Sequence, residues 1–268
     1  MNDRSFFSGV PQETIEGEGL SGKLPCFYYD NMALSLVYTA PLERLRALLP
    51  DSRYQPLRLT GRRGLLAITA FNYRETDIGP YNELSIAVLL EKPGLGGFPP
   101  VGLLRQNWRQ AFHAFVVELP VTTEIARRGG VDFYNFPKFL ADISFTDDGS
   151  HVSCRLGENG REILALTVPK LSTRKGKIAR VYSYPVRNGE ILRAEVRMNP
   201  IAVGMAYRPR DVELSIGSGH RICERLAGLE LGSRPLQVQY LASMQAILFG
   251  AEPLEARAAT PEKRAAVA

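Results

Sequence analysis

The stretch Phe133-Tyr134-Asn135-Phe136-Pro137-Lys138-Phe139-Leu140-Ala141-Asp142-Ile143 decides how this chain is read. Beyond Pro137 the pattern alternates. Phe139, Ala141, Ile143 and Phe145 fall on one side, and Leu140, Asp142 and Ser144 on the other. A period of two is that of a half-buried strand. Lys138 stands among four aromatic residues where that strand begins. A lysine amine is a nucleophile only when neutral, and apolar surroundings disfavour its charged form. Turned inward, Lys138 can form an imine with a ketone. Turned outward, its stem covers aromatic surface while the ammonium stays wet. Both readings stay open at this point.

Working outward, short strand candidates dominate: Leu34 to Thr39, Leu65 to Phe71, Leu84 to Leu90, Phe112 to Glu118, 151–156, 162–168, 178–184, 190–197 and 212–216. Asp148-Gly149, Asn159-Gly160 and Asn188-Gly189 separate several of them, and Asn-Gly is the strongest short hairpin signal. Pro41 to Pro50 reads as a helix, with Leu42, Leu45, Leu48 and Leu49 on one face between two prolines. Thr122 or Thr123 can cap a helix running through Arg128, which Gly129-Gly130 ends. Tyr240 to Phe249 reads as a late helix. The pattern is antiparallel β with a few short helices, not the strand–helix alternation of a parallel sheet. One domain over 1–255 is expected, with residues 1–24 as an arm and 256–268 as a disordered tail.

Composition narrows the function classes. Charged residues are 23% and hydrophobic ones 45% of 268, so wholesale disorder is excluded. The 24 glycines and 18 prolines together make about 16% of the chain, above the average of roughly 12%, which favours turns and short strands. The net charge of +5 is spread over short clusters, Arg62-Arg63, Arg127-Arg128 and Thr173 to Lys177, so nucleic acid is not an expected partner. Cys26, Cys154 and Cys223 are far apart, without a C-x-x-C spacing, so neither a disulfide framework nor a zinc site is expected. No run of 18 apolar residues and no signal-peptide pattern is present, so the expectation is a cytoplasmic protein without a membrane partner.

Familiar motifs are missing. Neither G-x-G-x-x-G after a strand nor G-x-x-x-x-G-K-[ST] occurs, nor does G-x-S-x-G. His113, His151 and His220 stand alone, so a metal is not expected, and with the glycine-rich nucleotide motifs also missing no other cofactor is expected. Gly217-Ser218-Gly219-His220 reads as an ordinary turn. A second segment stands out, Ile78-Gly79-Pro80-Tyr81-Asn82-Glu83. Its Gly-Pro turn places Glu83 at the lip of the next strand, facing either solvent or the inside of a barrel.

These two segments carry a resemblance to the acetoacetate decarboxylase family. The family's Tyr/Phe-Pro-Lys element matches Phe136-Pro137-Lys138, and its Gly-x-Tyr-x-Glu element matches Gly79-Pro80-Tyr81-Asn82-Glu83. The helix-and-proline spacing after Val37-Tyr38 and the Gly130-to-Lys138 interval also fit, over about residues 25 to 250. The resemblance implies a β-dominated α+β fold, its antiparallel strands forming a cone or barrel, and a homo-oligomer. It implies that Lys138 forms a Schiff base with a small oxo acid, and that Glu83 organises the site and handles protons. The reaction would be β-keto acid decarboxylation or a related aldolase or dehydratase step. The alternative is a non-catalytic binding barrel that retains the lysine.

Three positions depart from the family pattern. Its second lysine falls at Phe139, a second glutamate at Ile68, and an arginine at Asn31. Any push of Lys138 toward the neutral amine is therefore expected from desolvation. Asp142, four residues on, either adds a negative charge beside Lys138 or lies on the surface beyond the barrel mouth. For the substrate's carboxylate, Arg105 and Arg109 around Trp108 are candidates, because arginine suits that planar geometry. Gln106 and Tyr240 are candidates for hydrogen bonds in the same cavity, and Tyr81 and Phe139 for its lining.

Overall fold

The computed structural model describes residues 4–17, 20–92 and 98–254. In chain order the strands are β1 (Glu13–Gly17), β2 (Leu20–Leu24), β3 (Cys26–Pro41), β4 (Arg63–Thr76), β5 (Tyr81–Leu89), β6 (Ala111–Val121), β7 (Lys138–Leu140) and β8 (Asp142–Asp147). They continue with β9 (His151–Glu158), β10 (Arg161–Pro169), β11 (Ala179–Ser183), β12 (Val186–Arg187), β13 (Glu190–Tyr207), β14 (Glu213–Ile216), β15 (Gln237–Leu248) and β16 (Glu252–Pro253). The helices are α1 (Leu42–Arg46), α2 (Val101–Arg109), α3 (Glu124–Tyr134) and α4 (Arg221–Ala227).

Seven strands close a barrel in the order β11-β13-β15-β3-β4-β5-β6. Parallel pairing of β6 with β11 seals the ring, and β7 lies parallel to a later part of β6. A second sheet, β14-β10-β9-β8, stands apart from the ring. Asn188 and Gly189 take positive φ of 51° and 80° at the β12–β13 turn, the backbone that favours this pair in tight hairpins.

Alternation gives the barrel wall two different faces. Leu34, Leu36, Ile68, Leu84 and Ile86 point outward, into one core with Val152, Leu156 and Ile163 of the second sheet and Ile222 of α4. On the other face Tyr28, Tyr73, Tyr81, Val121 and Ala246 cluster, with Val196 of β13 packed against them. Six of the seven ring strands contribute to this one cluster, as side chains on the concave face of a closed barrel do. The outer face holds the large aliphatic core. The inner face is aromatic.

Five readings from sequence are corrected. Tyr240 to Phe249 is not a helix: Gln237–Leu248 is strand β15, held between β3 and β13, because pairing on both edges outweighs local propensity. Phe139 to Phe145 is not one strand but β7 and β8, interrupted at Ala141, with β7 joining the barrel and β8 the second sheet. The helix after Thr123 does not stop at Gly129-Gly130 but runs to Tyr134. The arm contains a hairpin, in which β1 pairs with β2. The helix after Pro41 is also shorter than expected, ending at Arg46. The predicted loose tail, 256–268, lies outside the described residues. No helix among the described residues is long and apolar enough to cross a membrane.

Candidate active site

Strand β6 brings the two leading residues together. Lys138 on β7 is in register with Leu119, and Glu83 on β5 with Val121. The two residues therefore flank β6 from opposite edges, and both point into the barrel. Lys138 Nζ donates to Glu83 Oε2 at 2.7 Å, and the two side chains are 7% and 8% exposed. Charges this deeply buried are tolerated because each is the other's partner.

Tyrosines complete the inner wall. The Tyr73 hydroxyl donates to Glu83 Oε1 at 3.3 Å, and the Tyr28 and Tyr81 hydroxyls are 3.2 Å apart. Tyr73 packs on Tyr28 and Tyr81, with ring centroids 4.8 and 4.6 Å away, and Lys138 Nζ lies 5.6 Å from the Tyr81 ring. Burial pushes the Tyr28, Tyr73 and Tyr81 phenols well above their ordinary value, and the Glu83 carboxylate adds to this. They therefore stay protonated and act as donors. Burial, then Asp77, lifts the nearby Cys26 thiol to about 12, so it is no competing thiolate.

Helix α3 packs over the lysine. Its buried stripe is Ala126, Gly130 and Tyr134, spaced i, i+4, i+8. A Cβ at Gly130 would lie 2.3 Å from Lys138 Cδ and 2.4 Å from Cε, so glycine lets the helix cross there without displacing the lysine stem. The glycine read as a helix stop is a packing contact. The helix ends instead at Asn135, in the left-handed region at φ 56°. Between α3, the β1–β2 hairpin and the barrel lies a cavity of about 50 Å³, lined among others by Ile15, Leu24, Phe133, Tyr134, Phe136 and Lys138. A larger open cleft, about 370 Å³, lies between β6 and the Pro185-Val186 turn, and Phe136 lines both.

Most of the other positions singled out from sequence lie elsewhere. Phe139 follows Lys138 by one residue on a strand, so it faces the outer core, with the Arg221 guanidinium 5.0 Å from its ring. Ile68 is fully buried in that same outer core, and strand pairing sets Phe71 rather than Ile68 opposite Glu83. Asn31 is fully buried on β3 opposite Tyr73, so it faces the interior beside the tyrosines, and its amide nitrogen donates to the Met244 carbonyl. Asp142 is exposed on β8, beyond the break at Ala141. The shared-cavity expectation for Arg105, Gln106, Arg109 and Tyr240 is not met within this chain. Arg105 and Arg109 ride on α2, whose Trp108 is 82% exposed, while Gln106 turns inward to bond the Leu90 carbonyl and the His113 amide. Tyr240 sits on β15 opposite Leu34, packed against the outer core. His220 caps α4 and bonds Glu158 at 3.0 Å, a structural use of the loop.

Sequence reasoning missed Tyr28, Tyr73 and Tyr134 because their convergence depends on register across several strands. A lone signal was available for Tyr73, which pairs directly with Tyr81 of the Gly-Pro-Tyr-Asn-Glu segment.

The sequence model for acetoacetate decarboxylase matches residues 16–203. The chain belongs to the acetoacetate decarboxylase family. No curated protein matches the sequence at a significant level. Among solved structures, the acetoacetate decarboxylase of Legionella pneumophila subsp. pneumophila str. Philadelphia 1 is 13% identical, with 92% of this chain and 93% of that chain covered at a TM-score of 0.64. The enduracididine biosynthesis enzyme MppR, complexed with pyruvate, gives 12% identity, coverage of 89% and 93%, and a TM-score of 0.64. An acetoacetate decarboxylase-like enzyme from Sphingomonas wittichii RW1 gives 15%, 85% and 92%, and 0.55. At these identities the likeness establishes the acetoacetate decarboxylase-like fold.

Proposed function

We propose that this chain is a Schiff-base lyase acting on a small oxo acid through Lys138. The observation that carries the reading is the buried Lys138–Glu83 pair, 2.7 Å apart, with the lysine opening onto a largely apolar cavity. Glu83 takes a proton from the Lys138 ammonium, leaving a neutral amine next to the cavity. The amine adds to the substrate's carbonyl carbon, and loss of water gives an imine. Once protonated, that imine is an electron sink. With a β-keto acid, the bond to the carboxylate breaks, carbon dioxide leaves and an enamine forms. Glu83 then returns a proton to carbon, and hydrolysis frees the product and the lysine. With a 2-oxo acid such as pyruvate, the ligand in the MppR complex, Glu83 first gives its proton to the imine nitrogen, and the freed carboxylate then takes a proton from the carbon next to the iminium, giving an enamine suited to aldol or dehydration chemistry. Lys23, exposed on β2 and lining the same cavity, can pair with the substrate's carboxylate.

Phe139 and Ile68, where the family pattern carries charge, both face away from Lys138. Their apolar character therefore does not by itself favour a non-catalytic barrel. The reading includes a homo-oligomer, supported by Val101, Leu104 and Trp108, exposed along one side of α2. Light scattering that finds a monomer would remove that part.

Borohydride trapping with acetoacetate and pyruvate in parallel tests the chemistry. A reduced adduct on the Lys138 peptide is expected, absent from Lys138→Ala. Turnover surviving that substitution would sink the proposal. Saturable binding of an oxo acid without any adduct would instead favour a binding barrel.

A further inference from the structure

Tyr134 is the tyrosine of the inner site whose hydroxyl has no partner. Tyr28 and Tyr81 hold each other, and Tyr73 donates to Glu83. The Tyr134 ring is 4% exposed, yet its hydroxyl is buried without a hydrogen bond. Buried hydroxyls are nearly always paired, so an orphan one calls for an account. Its position is fixed from both sides. Tyr134 lies one helical turn after Gly130, on the stripe of α3 that packs over Lys138. The Phe136 ring stacks on it at 5.4 Å, with planes only 9° apart. Both Tyr134 and Lys138 line the cavity of about 50 Å³.

We propose that the Tyr134 hydroxyl is the hydrogen-bond donor that holds the carbonyl oxygen of the oxo acid while Lys138 adds to its carbon. This deepens, and rests on, the imine reading above. The amine forms the C–N bond, the carbonyl π pair moves to oxygen, and a nitrogen proton passes to that oxygen, giving a carbinolamine. Its hydroxyl and the remaining nitrogen proton then leave together as water, and the nitrogen lone pair closes the C=N bond. The Tyr134 O–H bond stays intact throughout, supporting the oxygen as negative charge develops on it. Burial, and Cys26 nearby, push the phenol well above its ordinary value, which suits a donor that does not ionise.

The test is the time course of borohydride trapping with saturating pyruvate, read on the Lys138 peptide, for the full chain and for Tyr134→Phe. Thermal unfolding is measured beside it. Trapping is expected to slow about 100-fold, the scale of losing one such donor. The unfolding midpoint should not fall, because the deleted hydroxyl has no partner and the stacked ring remains. Trapping at the unsubstituted rate would overturn the role of Tyr134 and leave the imine reading standing. No adduct on Lys138 of the unsubstituted chain would overturn both. A lowered midpoint with proportionately less adduct would make the hydroxyl structural and also overturn the proposal.

Discussion

Two carboxylates lie buried on neighbouring strands of this barrel, Glu83 facing in from β5 and Glu118 facing out from β6, and they meet different cations. Glu118 is 1% exposed and accepts from Arg221 and Arg225 of α4, whose own side chains are 54% and 35% exposed. Glu83 meets a single lysine that is as buried as itself. A guanidinium keeps its charge at any working pH, so the outer cluster can only fasten α4 to the wall. An ammonium can give up its proton, so the inner pair can do chemistry. One residue of strand separates the two regimes: Lys138 points in, and Phe139 lies under Arg221. Burying a carboxylate is therefore not a signature of function by itself. The identity of its partner and the cavity beside it make the difference.

Breaking each pair should separate the two regions most sharply. Lys138→Met leaves Glu83 buried and unpaired, which should cost about 3–5 kcal/mol near neutral pH. Removing both charges, in Lys138→Met with Glu83→Leu, should recover most of the loss. Glu118→Gln should cost less, about 1–3 kcal/mol, because both arginines can turn to water. It should leave trapping on Lys138 intact. Denaturant melts at several pH values would check the ordering, and equal losses for both pairs would erase the distinction.

Gly130→Ala separates packing from stability in the inner region. A Cβ there meets the Lys138 stem at 2.3 Å, so the amine must shift away from Glu83. A displacement near 1 Å can slow a positioned reaction about 100-fold. Overpacking of about 1–3 kcal/mol is partly offset by the roughly 1 kcal/mol that alanine gains over glycine in a helix. Trapping should thus collapse while the melting point moves little. Unchanged trapping would mean that the lysine stem swings freely and that its present position is not required.

How much of this was legible beforehand follows from the range of the interactions. Strand alternation fixed the opposite directions of Phe139 and its neighbours, and the Gly-Pro turn placed Glu83 at the start of β5. Those are local facts. Which element covers Lys138 was not legible, because Gly129-Gly130 has the composition of a helix end and only the close passage of the Lys138 stem explains its place inside α3. Tyr240 to Phe249 misled for a related reason, since a mixed apolar run carries no decisive period until two neighbouring strands claim its edges. Arg105 and Arg109 were attractive by residue type and by position around Trp108, and neither sets direction.

A titration on β6 probes a group away from the Lys138 cavity. His113 is buried, with Nδ1 2.6 Å from the Tyr184 hydroxyl. Burial, then Lys92 and Arg193, pulls its pKa down to about 4. Between about 6.5 and about 4 the unfolded chain binds a proton that the folded chain does not. Stability fully present above 6.5 is therefore lost as pH falls through that window, by roughly 3 kcal/mol. His113→Gln should flatten this part of the acid limb in pH-dependent melts. An unchanged slope would mean that another group controls acid sensitivity.

The smallest effects are expected on α2, and they test where that helix belongs. Gln106→Ala strands the Leu90 carbonyl and the His113 amide, two buried backbone groups, and should cost about 1–3 kcal/mol with trapping on Lys138 unchanged. Arg105→Ala and Arg109→Ala should stay within about 0.5 kcal/mol and also leave trapping unchanged. Neither arginine lines the cavity of its own chain. If either substitution slows trapping at unchanged stability, the arginine must act on a Lys138 cavity of another copy, because its own is out of reach. Repeating the measurement at dilutions that separate the copies would then abolish the effect of the substitution. The exposed apolar side of α2 would in that case belong to the site as well as to the assembly.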